Sequence, residues 1–443
     1  MLGRFIIGFD MDNVSLARVT MGTSLAFHIV FAVLGVGLPV LFSVAEGLGI
    51  WRKDAVWMDL ARRWSKAFGI LFAVGAVSGT VLSFELGLLW PRFMALSGSM
   101  IGLPFSAEGF AFFLEAVFLG LYLYGWNRLS PVAHWLTSIP IAVSGAASSL
   151  FVVMVNAWMN HPAGFQLVNG QVTEVDPLAA ALNPATPTED PHMLVSAYVC
   201  TGFLVSAVYA AGALRGRWDE AHKRGVAAGM TMALVAIGLA GITGDSSARF
   251  VYTDQPAKFA AMEGLYRTAR GAPIHLGGIP IDSQQRVVFA PEIPRGLSLL
   301  AAFNPDAEVK GLNEFPPADR PNPIVVHLSF DTMVGLGLLL GVLSLVFWGI
   351  AWRSRAIPQL RPLLVALAVA GPASVIAMEA GWFVTEFGRQ PWVVYGILRT
   401  AQAATPARGL FITLVAFLLV YVALAVTAAR LLLLFGARRR QPG

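Results

Sequence analysis

Residues Gly381–Trp392 read GWFVTEFGRQPW and close a long apolar run that starts near residue 362. The run leaves a carboxylate, Glu386, where lipid would otherwise be. Arg389 follows about one turn later, and a helix-stopping Gln-Pro-Trp ends the segment. A charged side chain at membrane depth costs about 2.5–3.5 kcal/mol or more, so it marks a functional site with a partner. Arg389 is the nearest partner, and the two also read as a structural ion pair.

The composition points to the bilayer as solvent. Of 443 residues, 56% are hydrophobic and only 13% are charged, and the mean hydropathy is +0.66. Soluble domains carry about 25% charged residues, which excludes that class. The net charge of +5 is spread over separate loops and builds no nucleic-acid patch. The single cysteine, Cys200, lies in an apolar stretch, so no disulfide forms within the chain. A cleaved signal peptide is not expected, because the first apolar segment is too long and no small-residue cleavage site follows a basic start.

A spanning helix needs about 20 mostly apolar residues. Nine segments qualify, at roughly 21–45, 67–90, 107–126, 135–157, 192–214, 226–245, 326–350, 362–386 and 409–435. The fold class is therefore an all-α integral membrane protein with nine transmembrane helices. Arg52-Lys53, Arg62-Arg63, Lys223-Arg224, Arg353/Arg355 and the tail Arg438-Arg439-Arg440 all fall on one side of such a bundle, whereas 158–191 has no Lys or Arg. The positive-inside rule places the N-terminus and both long connections, 158–191 and 246–325, outside, and the C-terminus inside. Residues 1–443 read as one membrane domain without an internal repeat, with 246–325 as an ordered outer loop within it.

On this topology His28, Glu108, His192, Met333 and Glu386, from five helices, all lie towards the outer side. Haem iron takes His or Met as axial ligands: a His–Met pair closes the iron for electron transfer, and a single ligand leaves it open to oxygen. His192 with Met333 suits the first case, and His28 and Glu386 suit the second. Taken singly, each has a plainer reading: a membrane histidine satisfied by a neighbouring helix, an interfacial His192, a core methionine. Glu108 and Glu115 in AEGFAFFLEAVF stand seven apart on one helix face, about 10 Å by the helix rise. A relay of protons through bridging waters uses such a ladder, and two carboxyls bonded to neighbouring helices give the same spacing. Glu85 and Glu379 lie in apolar helices and are candidates for the same path. Glu46 and Asp245 sit near helix ends and read as interfacial. Trp382, four residues before Glu386, is placed to pack between two porphyrins or simply to fill the bundle. In DQPAKFAAMEGLY, Lys258 and Glu263 could hold the two oxygens of a quinol, with the carboxylate accepting a proton; by spacing alone they read as a solvated pair.

The chain resembles subunit I of cytochrome bd-type quinol oxidases. The matches run in order through LARVTMGTSLAFH with Arg18 and His28, AEGFAFFLE, GWNRL at 125–129, VNAWMNHP at 155–162, PHMLVSAYV with His192, PAKFAAMEG, MVGLG with Met333, and EAGWFVTEFGRQPW. The resemblance implies a respiratory quinol:oxygen oxidoreductase of the bacterial inner membrane. It would oxidise quinol outside and reduce oxygen to water with cytoplasmic protons, generating proton motive force without pumping. It implies a low-spin haem b on His192 and Met333, and a high-spin haem b with haem d, or a third haem b in its place, on His28 and Glu386, without assigning which. Arg18 would be a cofactor-binding residue, and Glu108, Glu115, Trp382 and Arg389 would serve catalysis. Lys258 and Glu263 would contact quinol. A homologous membrane subunit II is implied, together with small single-helix subunits in some complexes. Two features depart from the best-known branch: Asp331 stands where that branch has arginine, and the outer loop is short after Glu263, as in the class that includes the cyanide-insensitive oxidases. A haem-bearing membrane anchor and a proton-coupled transporter are the competing classes. The open-site ligands disfavour the first, and the missing repeat the second.

Overall fold

A computed structural model describes residues 12–437, with side chains to Leu434. The Arg438–Arg440 tail lies outside the described residues. Nine described helices are long and apolar enough to cross a membrane: α1 Asn13–Arg52, α2 Ala55–Leu89, α3 Pro91–Gly125, α4 Pro131–Asn160, α5 Thr186–Leu214, α6 Glu220–Asp254, α7 Pro323–Ser354, α8 Arg361–Arg389 and α9 Leu410–Ala437. The nine spans expected from the sequence are all present.

Their ends are set by local chemistry. Asp12 caps α1 by accepting from Ser15 N at 2.7 Å, and Asp54 caps α2 from Val56 N at 2.9 Å. Such caps satisfy backbone donors that the first turn leaves without partners. Pro91, Pro131 and Pro323 open α3, α4 and α7, where a missing N–H costs nothing. Lys53 stops α1 in the left-handed region at φ 52°. Several helices outrun their apolar windows. At 40 residues, α1 is about 60 Å long at 1.5 Å per residue. The third span was expected to open at 107, but α3 begins at Pro91, so Glu108 lies mid-helix and does not open it.

The described chain divides into two compact units. Residues up to Ser149 together with those from Thr400 form the first, in which α1 packs on α2 and α9 lies against both. Residues 150–399 form the second, in which α5 packs on α6 and α8, and α8 on α7.

Two non-spanning segments of the second unit are ordered. Gln166–Val168 pairs antiparallel with Gln171–Thr173 around Asn169-Gly170. Both turn residues have positive φ (51° and 78°), as a two-residue hairpin turn requires. The connection between α6 and α7 is shorter than the expected 246–325, because α6 continues to Asp254 and α7 begins at Pro323. It carries the short helices Pro256–Met262 and Gly296–Ala302 and three two-stranded ribbons. Phe259, Met262, Leu265, Tyr266, Leu297 and Leu312 pack there into a core that also takes in Val326 and Val384 of the spanning helices.

Candidate functional site

In the first unit, His28 of α1 faces α2. Its Nδ1 is 2.9 Å from Ser78 Oγ, and that hydroxyl donates to Val74 O at 3.0 Å. With its own proton committed, Ser78 accepts from Nδ1–H, so Nε2 carries the lone pair. Gly79 lies against the same ring: a Cβ there would sit 3.1 Å from Cε1. Farther along α2, Glu85 is fully buried and accepts from Ser24 Oγ at 2.5 Å. Arg18 is exposed on α1 near Asp12, ten residues, or about 15 Å, along the axis from His28. On α3, Glu108 accepts from Ser148 Oγ at 3.3 Å. Glu115 is buried with its carboxyl beside Gly145.

The second unit repeats the histidine device. His192 Nδ1 of α5 is 3.1 Å from Thr243 Oγ1 of α6, whose hydroxyl donates to Leu239 O at 3.1 Å. Gly244 then makes room for the ring, with a Cβ position 3.1 Å from Cε1. Met333 Sδ of α7 has a matching gap at Gly381 of α8, at 3.0 Å. Trp382 is the next residue on α8 and is half-buried.

Glu386 is held from both sides. Asn156 Nδ2 donates to Oε1 and Arg389 Nη2 to Oε2, each at 2.6 Å. Each oxygen keeps a second lone pair. Arg389 is 1% exposed, and its Nε and Nη1 are buried with no partner among the described residues. Lys258 is also buried, its stem lying against Gly388. Its ammonium feels Glu189, Arg389 and Glu386, and burial lowers its pKa to about 8. Asn160 donates to Glu189 at 3.0 Å, and Gln255 Nε2 to Asn160 O at 2.7 Å. Glu263 is buried too. Burial first, and then the charge of Asp331, push its carboxyl up to about 8. Lys258 and Glu263 are thus not the solvated surface pair that their spacing alone suggested.

A family model described as cytochrome bd terminal oxidase subunit I matches residues 16–440. The chain belongs to this family. A putative cytochrome bd menaquinol oxidase subunit I of Bacillus subtilis (strain 168) is 38% identical over 431 residues, covering 96% of this chain and 97% of that protein. Cytochrome bd-II ubiquinol oxidase subunit 1 of Escherichia coli (strain K12) is 30% identical over 463 residues, covering 88% and 90%. The solved structure of bd oxidase from Geobacillus thermodenitrificans superposes with a TM-score of 0.91 at 39% identity, covering 97% of this chain and 99% of that one. As a cytochrome bd subunit I, the chain is part of an oxidoreductase of the bacterial inner membrane. It is multi-pass, and works with subunit II and haem cofactors.

The donor set fits a haem. Among the described residues no cluster of three or more His, Cys, Asp or Glu groups could hold a bare metal ion. A porphyrin brings four nitrogens and asks the protein only for axial ligands. Both histidines keep a bare Nε2 for that bond, and the glycines beside them leave space. The unpartnered Arg389 nitrogens suit a carboxylate such as a propionate.

Sequence reading missed Ser78, Thr243, Glu189, Gln255 and the glycines at 79, 244 and 381. It quoted Asn156 and Asn160 inside VNAWMNHP but gave them no role. Glu46 is corrected outright: it is fully buried and not interfacial. Asp245, by contrast, is exposed and paired with Arg249.

Proposed function

We propose that the chain is the haem-carrying subunit of a quinol:oxygen oxidoreductase that oxidises quinol on the outer side and takes protons for water from the cytoplasm. The observation that carries this reading is the repeated histidine device, in which a hydroxyl fixes Nδ1–H, a glycine clears the ring and Nε2 is left bare. His192 and Met333 would hold a low-spin haem b. His28 and Glu386 would serve a high-spin haem b and a haem d, or a further haem b in its place. Bound there, the haems supply one-electron transfer and oxygen reduction.

The protein's own residues do the rest. Lys258 and Glu263 contact quinol in the 255–322 segment, and Glu263 accepts a proton as electrons leave. The fork of Arg389 positions an anionic group. Trp382, which follows Gly381 on α8, would pack between two porphyrins and shorten the electron path. Glu115 passes protons to Glu108, which delivers them where oxygen is reduced. With the N-terminus outside, protons are released on one side and consumed from the other, so charge separates without pumping. Small single-helix subunits complete the complex alongside subunit II.

The test is the dithionite-reduced spectrum of the purified complex, with extraction of its haems. A far-red chlorin band with two b haems is expected for the haem d form, and three b haems without chlorin for the haem-b-only form. A folded complex without haem would overturn the reading.

A further inference from the structure

Glu46, Tyr122 and His134 come from α1, α3 and α4, and the chemistry above uses none of them. Their exposures are 0%, 0% and 2%. Tyr122 Oη donates to Glu46 Oε2 at 2.6 Å. His134 Nδ1 lies 2.5 Å from Glu46 Oε1, and its Nε2 lies 2.8 Å from the Tyr122 backbone oxygen. A carbonyl only accepts, so Nε2 carries a proton. One further proton then sits between Nδ1 and Oε1, held by the nitrogen or by the oxygen. The cluster is a single-proton store sealed from water.

The store shares a seam with Glu115. On α3, Glu108, Glu115 and Tyr122 follow at intervals of seven, on one face and about 10 Å apart. On α4, Ser138 is one turn beyond His134; its hydroxyl donates to Trp135 O at 2.6 Å, and its Oγ lies 2.8 Å from Ser43 Oγ of α1. Further along α4, a Cβ on Gly145 would stand 3.0 Å from Glu115 Oε1 and 3.3 Å from Gly35 O of α1, and Ser148 bonds Glu108. Polar groups therefore succeed one another along the contact of α1, α3 and α4: the store, then Ser43 with Ser138, then Glu115, then Ser148 with Glu108. The store lies at the end where α1 finishes in Arg52-Lys53. Arg62 of α2 stacks on Trp126 at 4.6 Å, and Trp126 lies 4.2 Å from the His134 ring.

We infer that Glu46, Tyr122 and His134 form the loading site through which protons from the basic face reach Glu115 and then Glu108. This rests on the reading of Glu115 and Glu108 given above. The shared proton leaves the Glu46–His134 pair by way of the Ser43 and Ser138 hydroxyls and bridging water, and a proton from the basic face replaces it. The pair's charge is restored at each turnover. Arg62 is the cation that faces the cluster from α2.

The test compares Glu46→Gln and Glu115→Gln in the complete complex with subunit II. It measures haem content, the reduced spectrum, anaerobic haem reduction by quinol, and proton uptake after oxygen is mixed with the reduced complex. Both variants are expected to keep their spectra and their rate of haem reduction while proton uptake slows about 100-fold, as for loss of a positioned proton-transfer group. Slow uptake in Glu115→Gln with normal uptake in Glu46→Gln would overturn the loading site and leave the Glu115–Glu108 route standing. Normal uptake in Glu115→Gln would overturn both. If Glu46→Gln loses its haems, Ser138→Ala decides, because it leaves Glu46, Tyr122 and His134 in place and removes a hydroxyl of the exit route: slowed uptake supports the loading site, and a wild-type rate overturns it.

Discussion

Glu263 is an acid that burial keeps protonated well above the usual carboxylate range, with a pKa raised from 4.5 to about 8. A proton acceptor must first be ionised. Below about pH 8 the ionised fraction falls roughly tenfold per unit, so quinol oxidation is expected to rise with pH until it levels near 8. Glu263→Gln should flatten that rise while leaving oxidation of an artificial electron donor unchanged. A variant with the wild-type profile would remove Glu263 from the role. The linkage runs in the same direction. Because the folded-state pKa is the higher one, this group favours folding at low pH and that contribution is lost as pH climbs from 4.5 to about 8. Single residues were unevenly legible. His28, His192 and Glu386 stand out because such side chains are rare in apolar helices. Ser78 and Thr243 do not, because many helical hydroxyls simply bond the preceding turn, as Thr80 and Ser83 do. Met333 was visible only through the family resemblance, since methionine is ordinary core material.

At the scale of elements, the α5–α6 pair is held close by glycine. A Cβ on Gly202 would meet Ala233 N and Gly229 O at 2.7 Å, and one on Gly229 would meet Gly202 O at 2.6 Å. These are backbone atoms that cannot turn aside, and small residues at such contacts let membrane helices pack. Gly229→Leu is expected to cost about 1–3 kcal/mol by overpacking. By moving Thr243 from His192 it should also weaken the low-spin haem signal before the high-spin ones, which a reduced spectrum during a thermal ramp would register. Equal loss of all signals would mean that the pair does not act locally. The existence of every spanning helix was readable from hydropathy, but their ends were not. Residues 246–254 fall outside the apolar window yet are helical, because Ser247 donates to Thr188 O of α5 at 2.8 Å and Val251 packs into the core of the α6–α7 connection. The same error hid Glu46. Its helix was expected to stop near 45, but α1 continues to Arg52 and carries that carboxylate into packing with α3 and α4.

At the scale of the whole molecule, the basic clusters argue for one orientation, and the chain provides its own background for testing it. Cys200 is 1% exposed, so it should stay silent to an impermeant maleimide. Gln171→Cys, on the exposed 166–173 hairpin, is expected to label in intact cells. Arg217→Cys, in the turn between α5 and α6, should label only after permeabilisation. The opposite pattern would invert the topology and with it the direction of proton intake. The two histidine sites also differ from the rest of the machinery in how far along the chain their parts lie. His28 finds its orienting hydroxyl 50 residues on, and His192 finds its own 51 residues on. In both cases the partner is in the very next helix. Met333 and Glu386 are encoded far downstream. Each histidine cradle is therefore finished as soon as one helical hairpin has left the ribosome, whereas Met333 and Glu386 join the chain only later in synthesis. If the histidines ligate haem as proposed, the growing chain would offer a porphyrin a prepared histidine before Met333 or Glu386 has been made.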